Sequence, residues 1–344
     1  MIKMKKERPI VAIIKGTQYK ATIKALSLIK DYIDVENNAK IILKPNLLSS
    51  NKSHIINTDP RVCLAVHDFF NRELKIDKKN IVLSAGTTHG KPPDAKFALE
   101  NNDYFKFKSD WNYHDFAEDK PGKWFKIYEF NSNRNLELAL AKSLIEADYI
   151  ISVPKFKTHD VLGLTLSLKN LMGTLVAAKD QTGTIIKTKP ANVCPLMHGF
   201  GNRRPHQLSD AENSGPSKLC LATNLIRMAQ KIQPSLAVID GVVAMEGNGP
   251  VFGVKKNLGI VIASNDFIAA DTVATHIAGM EPKDIQYILQ AGKIGLGEYN
   301  PDKIEIVGEN IDLIKNKFIP HRLFHKSKFT QEEIAILEKK IRYN

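Results

Sequence analysis

Residues 148–173 read DYIISVPKFKTHDVLGLTLSLKNLMG. The opening DYIISV is a short β-branched run of strand character, and Pro154 stops it. Lys155, Lys157, Thr158 and His159 follow directly, so the strand finishes in a cationic turn. Lys155 and Lys157 are two apart in an extended segment and point the same way. Two convergent ammonium groups suit a phosphate or a carboxylate, and each lowers the pKa of the other. A lysine pushed toward neutrality serves as a general base or a Schiff-base nucleophile. Beyond the turn, Leu162, Leu164, Leu166 and Leu168 alternate as in a strand. Leu164, Leu168, Leu171 and Met172 also fit helical spacing, the preferred reading here. Either way Thr165 and Lys169 share one face, and Asn170 and Gly173 resemble a helix end.

Working outward, similar runs recur at 9–15, 39–44, 80–85, 123–130, 236–242, 258–264 and 303–308. Amphipathic stretches of helical length separate several of them, at 18–34, 60–74, 137–146, 216–232 and 266–278. This alternation predicts an α/β fold, a largely parallel sheet with helices on both faces. Asp59-Pro60 opens one helix as a cap followed by an N1 proline, and Asn265-Asp266 caps another. Two stretches break the rhythm. Residues 91–122 read as an inserted, lid-like segment, and 179–215 as a long basic functional loop. Residues 1–310 are expected to form one α/β domain, or two lobes, followed by a basic helical extension over 311–344. Thr330 and Glu333 give that extension a capping box.

In a parallel sheet ligands bind beyond the carboxyl ends of the strands, so the residues there matter most. Lys44-Pro45-Asn46 follows one strand and Asp240-Gly241 ends another. Downstream lies the turn Glu246-Gly247-Asn248-Gly249-Pro250. A lysine beside proline sits on backbone of fixed φ, so its ammonium is aimed at smaller entropic cost. The glycines permit close backbone approach, but neither G-x-G-x-x-G nor G-x-x-x-x-G-K-[ST] is present, so dinucleotide and Walker sites are unsupported. Asp240 or Glu246 suits acid–base work or a divalent ion. His198 and His206 flank Arg203 and Arg204 and add proton-transfer capacity. No H-E-x-x-H spacing marks a metal, so no metal ligand is assigned.

A net charge of +12 directs attention to anionic partners. Cys63, Cys194 and Cys220 are scattered, which argues for a reducing compartment and against an iron–sulfur cluster within this chain. The start lacks a signal-peptide core and no apolar run reaches spanning length, so a cytoplasmic protein without membrane contact is expected.

The strings KPNLL (44–48), TDP (58–60), ADYIISVPKFKTH (147–159), GLTLSLKNLMG (163–173), HGF…H (198–206), VIDGVVAMEGNGP (238–250) and ASNDFIAADTVA (263–274) together resemble the domain of unknown function 362 family. The match runs in order from about residue 10 to 308. Some members carry appended ferredoxin-like cysteine motifs, which this chain lacks. The resemblance implies that Lys44, Asn46, Lys155, Lys157, His159, Lys169, Asn170, His198, His206, Asp240, Glu246, Gly247, Gly249, Asp266 and Asp271 are motif positions. Asp266 reads as a helix cap.

The expectation is an enzyme for a small anionic substrate, of unassigned reaction class and unknown cofactor. Its catalytic candidates are His159, Lys157, Lys169, His198 and Glu246. The substrate-binding candidates are Lys44, Asn46, Lys155, Thr158, Asn170, His206, Asp240, Gly247, Asn248 and Gly249. Two alternatives remain: a nucleic-acid or polyanion binder, and a redox-associated protein working with an iron–sulfur partner. The oligomeric state is left open.

Overall fold

The computed structural model describes residues 8–89, 94–130, 132, 134–199 and 214–342, without the side chains of 214, 215, 326 and 327. Its strands are β1 (Ile10–Lys15), β2 (Ile41–Pro45), β3 (Ile81–Ala85), β4 (Tyr113–Asp115), β5 (Pro121–Lys126), β6 (Glu137–Ala141) and β7 (Tyr149–Val153). They continue with β8 (Lys155–His159), β9 (Gly163–Thr165), β10 (Leu175–Lys179), β11 (Ile185–Thr188), β12 (Leu236–Glu246), β13 (Val254–Ser264) and β14 (Glu305–Gly308).

A ten-stranded sheet runs in the order β14-β1-β13-β12-β7-β2-β3-β4, with β8 and β9 attached beside β12. From β12 through β7, β2 and β3 to β4 every pairing is parallel. β13 lies antiparallel to both β1 and β12, which makes the sheet mixed but mostly parallel. Strand β1 shows why both faces are covered. Val11 and Ile13 enter one apolar core while Ile10, Ala12 and Ile14 enter the other, as a period of two requires. Helices Gln18–Leu28 and Pro60–Asp68 close the second core, and Ser214–Ala229 and Phe267–Ile277 close the first. This is the predicted α/β arrangement.

The sequence reading missed a second sheet, four-stranded and antiparallel, in the order β11-β10-β6-β5. Residues 137–146, predicted as helix, split into strand β6 and the single helical turn Lys142–Ile145. Leu, Ala and Glu favour helix locally, but β6 lies between β5 and β10 and pairs with both. Tertiary pairing outweighs propensities of a few tenths of a kcal/mol per residue.

The stretch 91–122 adds β4 to the main sheet, through Leu83↔Tyr113 and Ala85↔Asp115, and its last two residues open β5. The stretch 179–215 contains β11, the turn Pro190–Val193 and a 3-10 turn over Cys194–His198. Asp266 caps Phe267–Ile277 by accepting from the Ile268 and Ala269 amides. Thr330 and Glu333 form their reciprocal pair, with Glu333 Oε2 accepting from Thr330 N at 2.8 Å. The helix that follows, Gln331–Arg342, rests on Ser214–Ala229, where Arg227 donates to the Lys340 carbonyl at 2.7 Å. No helix of the described residues is long and apolar enough to cross a membrane.

Candidate functional site

The site grows from the junction of β7 and β8. Pro154 separates them, and β8 then leaves β7's register to pair with β12 on one side and β9 on the other. Alternation along β8 divides its side chains. Phe156 stacks on Phe318 with centroids 4.9 Å apart, and Thr158 donates to the Gly247 carbonyl at 2.9 Å. Lys155, Lys157 and His159 therefore share the other face, and all three are buried.

Lys155 is opposite Asp240 in the β8–β12 register, and its ammonium meets Asp240 Oδ2 at 2.8 Å. The same oxygen accepts the Asp59 backbone N–H at 2.9 Å, which ties in the N-cap of helix Pro60–Asp68. Asp240 Oδ1 is buried without a hydrogen-bond partner among the described residues.

Among the described residues Lys157 has no such counter-charge: its Nζ donates to the Ile56 carbonyl at 2.9 Å. Asn46 Nδ2 donates to that carbonyl as well, at 2.7 Å, so Asn46 and Lys157 share one acceptor. Burial, then the nearby Lys169 and Lys155 charges, hold Lys157 well below the usual lysine pKa.

Lys44, near the end of β2, is buried and donates to the Pro45 carbonyl at 3.0 Å and to Asn170 Oδ1 at 3.3 Å. Burial lowers its pKa to about 8. Asn170 in turn donates to the Lys44 carbonyl and to Ser152 Oγ, both at 3.1 Å, and so clasps β2, β7 and the short helix Ser167–Asn170 together. The backbones of Gly86 and Gly173 press against this corner. A Cβ on Gly86 would lie 2.1 Å from the Gly173 carbonyl oxygen, and one on Gly173 would lie 3.3 Å from Lys44 Nζ.

The ambiguous stretch after β8 is half strand and half helix. β9 pairs Thr165 with Lys157, and Ser167–Asn170 follows as one helical turn that carries Lys169. Asp271 fixes that turn by accepting from the Ser167 and Leu168 amides at 2.8 and 3.1 Å. Lys169, part-buried, has Met172 Sδ at 3.5 Å, and burial lowers its pKa to about 8.

Histidines form the far edge. His159 Nδ1 accepts from the Val161 and Leu162 amides at 3.1 and 3.2 Å and also lies 3.0 Å from Asp160 Oδ1. Burial and the Lys169 charge lower its pKa to about 4, against the opposing pull of Asp160. His198 pairs through Nδ1 with Ser217 Oγ at 3.0 Å, and burial and Lys169 lower its pKa to about 3. Asp160 lies within electrostatic reach of His159, His198 and His321.

The structure thus gathers Lys44, Asn46, Lys155, Lys157, His159, Lys169, Asn170, His198 and Asp240. The glycine-rich turn is placed otherwise. Glu246 Oε2 is held by Lys256 Nζ at 2.7 Å and the Ile319 amide at 2.9 Å. Asn248 Oδ1 accepts from the Arg322 amide at 3.3 Å, Gly247 bonds to Ile319, and Gly249 lies against Thr158. Thr158, Glu246, Gly247, Asn248 and Gly249 lock the back of β8 to the chain around 319–322. His206 lies outside the described residues.

Three contributors escaped the sequence reading as site residues. Asp160 directly follows a motif histidine, so its position was a signal. Asp271 was visible only as a motif position. His321, in the basic extension, carried no local signal. Among the described residues no group of three or more His, Cys, Asp or Glu gathers closely enough to hold a metal ion. A surface hollow of about 400 Å³, lined by Ile185, Ile186, Lys187, Thr188 and Asn192, shares no residue with the lysine site.

Residues 41–276 match the model of a family described as domain of unknown function (DUF362). The chain is a DUF362 protein. A thylakoid-associated protein of Synechocystis sp. is similar to this DUF362 chain, with 29% identity over 283 residues, 79% of this chain and 72% of the other. Two solved structures resemble it more distantly. The lactate racemase apoprotein of Thermoanaerobacterium thermosaccharolyticum has 13% identity and a TM-score of 0.39, over 69% of this chain and 51% of the other. A Thermotoga maritima protein has 10% identity and a TM-score of 0.47, over 77% and 60%. The chain spans about half and three fifths of the lengths of those two.

Proposed function

We propose that this DUF362 chain is an enzyme acting on a small substrate that carries a phosphate or carboxylate group. The observation that supports the reading is a charge imbalance among the described residues: of the clustered Lys44, Lys155, Lys157 and Lys169, Lys155 pairs with Asp240 and Lys169 lies near Asp160, while Lys44 and Lys157 bond only to neutral oxygens. Burying ammonium groups without counter-charges is costly. An anion in the cleft supplies the missing charge. Lys44, Lys157 and Lys169 bind it, Asn46 and Asn170 set their directions, and Asp240 Oδ1 offers an acceptor to a substrate hydroxyl.

His159, beside Asp160 and Lys169, is the first proton carrier of this proposal. His198 and His206 are the further proton carriers of this proposal. The burial of Lys44, Lys155 and Lys157, each 2% exposed or less, favours a small ligand over a nucleic-acid backbone, whose phosphates remain on a surface. Cys194 is buried and donates to the Met172 carbonyl at 2.9 Å, which gives no support to a shared iron–sulfur cluster. Three free, buried thiols fit a reducing compartment, and we place the protein in the cytoplasm.

Titration calorimetry with inorganic phosphate and with oxalate tests the reading. Binding raises the lysine pKa values, so protons are taken up at pH 8–9, measured as a dependence of the heat on buffer ionisation enthalpy. Affinity is expected to fall at least tenfold in Lys157→Met. Absence of binding by the folded protein, or equal binding by that variant, overturns the proposal.

A further inference from the structure

The four lysines of the site are not equivalent. Lys155 is neutralised by Asp240 at 2.8 Å. Lys44 is directed by the Asn170 side chain and the Pro45 carbonyl. Lys169 is part-buried and stands within the field of Asp160. Lys157 differs from all of them. It is 1% exposed, and among the described residues its single hydrogen-bond acceptor is a backbone carbonyl it shares with Asn46. Two cations flank it. Lys155 lies two residues away on the same face of β8, and Lys169 lies one helical turn beyond Thr165, its β9 register partner.

From this placement we infer that Lys157 is a covalent nucleophile, and that the substrate is a carbonyl compound bearing an acid group, such as a 2-oxo acid or a phosphorylated aldehyde or ketone. The inference rests on the anion-site reading above and adds the substrate class to it. An amine kept dry, without a carboxylate partner and beside other cations, is held in its neutral, nucleophilic form. A carboxylate or phosphate on the same molecule meets Lys44 and Lys169. Its carbonyl carbon is thereby brought to the Lys157 nitrogen.

The step balances without an external oxidant or reductant. The Lys157 amine adds to the carbonyl carbon, forming a C–N bond, and one amine proton passes to the carbonyl oxygen to give a carbinolamine. The C–O bond then breaks and water leaves with a proton supplied by the Lys169 ammonium. The product is an iminium on Lys157, and its positive charge replaces the one Lys169 gave up. Such an iminium withdraws electrons from the neighbouring carbon, which eases loss of a proton or carboxyl group there.

Trapping tests it. The folded protein is incubated with pyruvate, sodium borohydride is added to deliver hydride to the iminium carbon, and the modified lysine is mapped by peptide mass spectrometry. The expected result is one reduced pyruvyl group on Lys157, in large excess over exposed lysines such as Lys120, and suppressed by inorganic phosphate. Lys157→Arg keeps a long basic side chain but forms no imine, so it loses the adduct. Lys157→Gln serves the same purpose should the arginine not fit, with a thermal melt checking the fold of each. Adducts spread over surface lysines, with Lys157 unmodified while phosphate still binds, overturn this inference and leave the anion site standing. Absence of both adduct and phosphate binding in a folded protein overturns the two together.

Discussion

Two polar stretches, KFKTH at 155–159 and EGNGP at 246–250, look alike as sequence: each is short, follows apolar residues and carries charge. In the folded protein they play opposite parts. In the glycine-rich turn the polar groups have built partners, with Glu246 bonded to Lys256 and Ile319, Gly247 to Ile319 and Thr158, and Asn248 to Arg322. Along 155–159 the inward face carries Lys157, which among the described residues meets no carboxylate, and beside it Asp240 keeps one oxygen unpartnered among those residues. Hydrogen-bonded polar groups hold a fold together, whereas a buried one left unpaired calls for an explanation of its own. That difference is what substitutions should expose.

The largest effect is expected at Asp240, the carboxylate opposite Lys155. Asp240→Ala strips Lys155 of its counter-ion and the Asp59 amide of its acceptor, and should lower stability by about 3–5 kcal/mol in urea denaturation. Next is Gly249→Ala, whose new Cβ would lie 2.2 Å from the Thr158 carbonyl oxygen. Overpacking of this kind costs about 1–3 kcal/mol. Unchanged stability there would break the view of the turn as a structural clamp. Lys157→Met inverts the pattern: phosphate affinity falls at least tenfold while stability holds or rises by about 1 kcal/mol, because a buried polar amine gives way to an apolar side chain. Glu246→Gln is the mildest, at about 1 kcal/mol, since the amide still accepts from Ile319, and phosphate affinity should not change.

The pH response sharpens the contrast further. Lys44 and Lys169 titrate near pH 8 in the folded chain, below the ordinary value of 10.5. Between those limits the unfolded state binds more protons, so these two groups make stability rise with pH from about 8 to 10.5. Buried thiols act oppositely above pH 9, because Cys194 and Cys220 are pushed up to about 12 by burial. The clean measurement is therefore a difference: wild type minus Lys44→Met should gain stability with pH across that window. A flat difference curve would mean that Lys44 keeps an ordinary pKa.

Much of this was legible in the sequence, and the reasons for what was not are local. β-branched runs marked β1, β2, β3, β7, β12, β13 and β14, because strands buried in a sheet need such residues along their length. The lysine corner could be read because Lys44, Lys155, Lys157 and Lys169 follow strand ends or apolar segments where solvated lysines have no reason to cluster. Strand β6 was hidden, since its Leu and Ala residues favour helix until β5 and β10 flank it. The committed role of Glu246 was hidden too. Its partners, Lys256 and the Ile319 amide, are 10 and 73 residues away, and spacing alone carries no sign of either.

The Asp240 carboxylate joins groups 181 and 85 residues distant along the chain, at the Asp59 amide and the Lys155 ammonium. Contacts of that span form only after long loops have closed. The lysine cluster therefore does not exist in any short piece of the chain or in a partly zipped sheet. It is assembled when the central strands meet, and ligand binding reports on completion of the whole fold rather than on any one element.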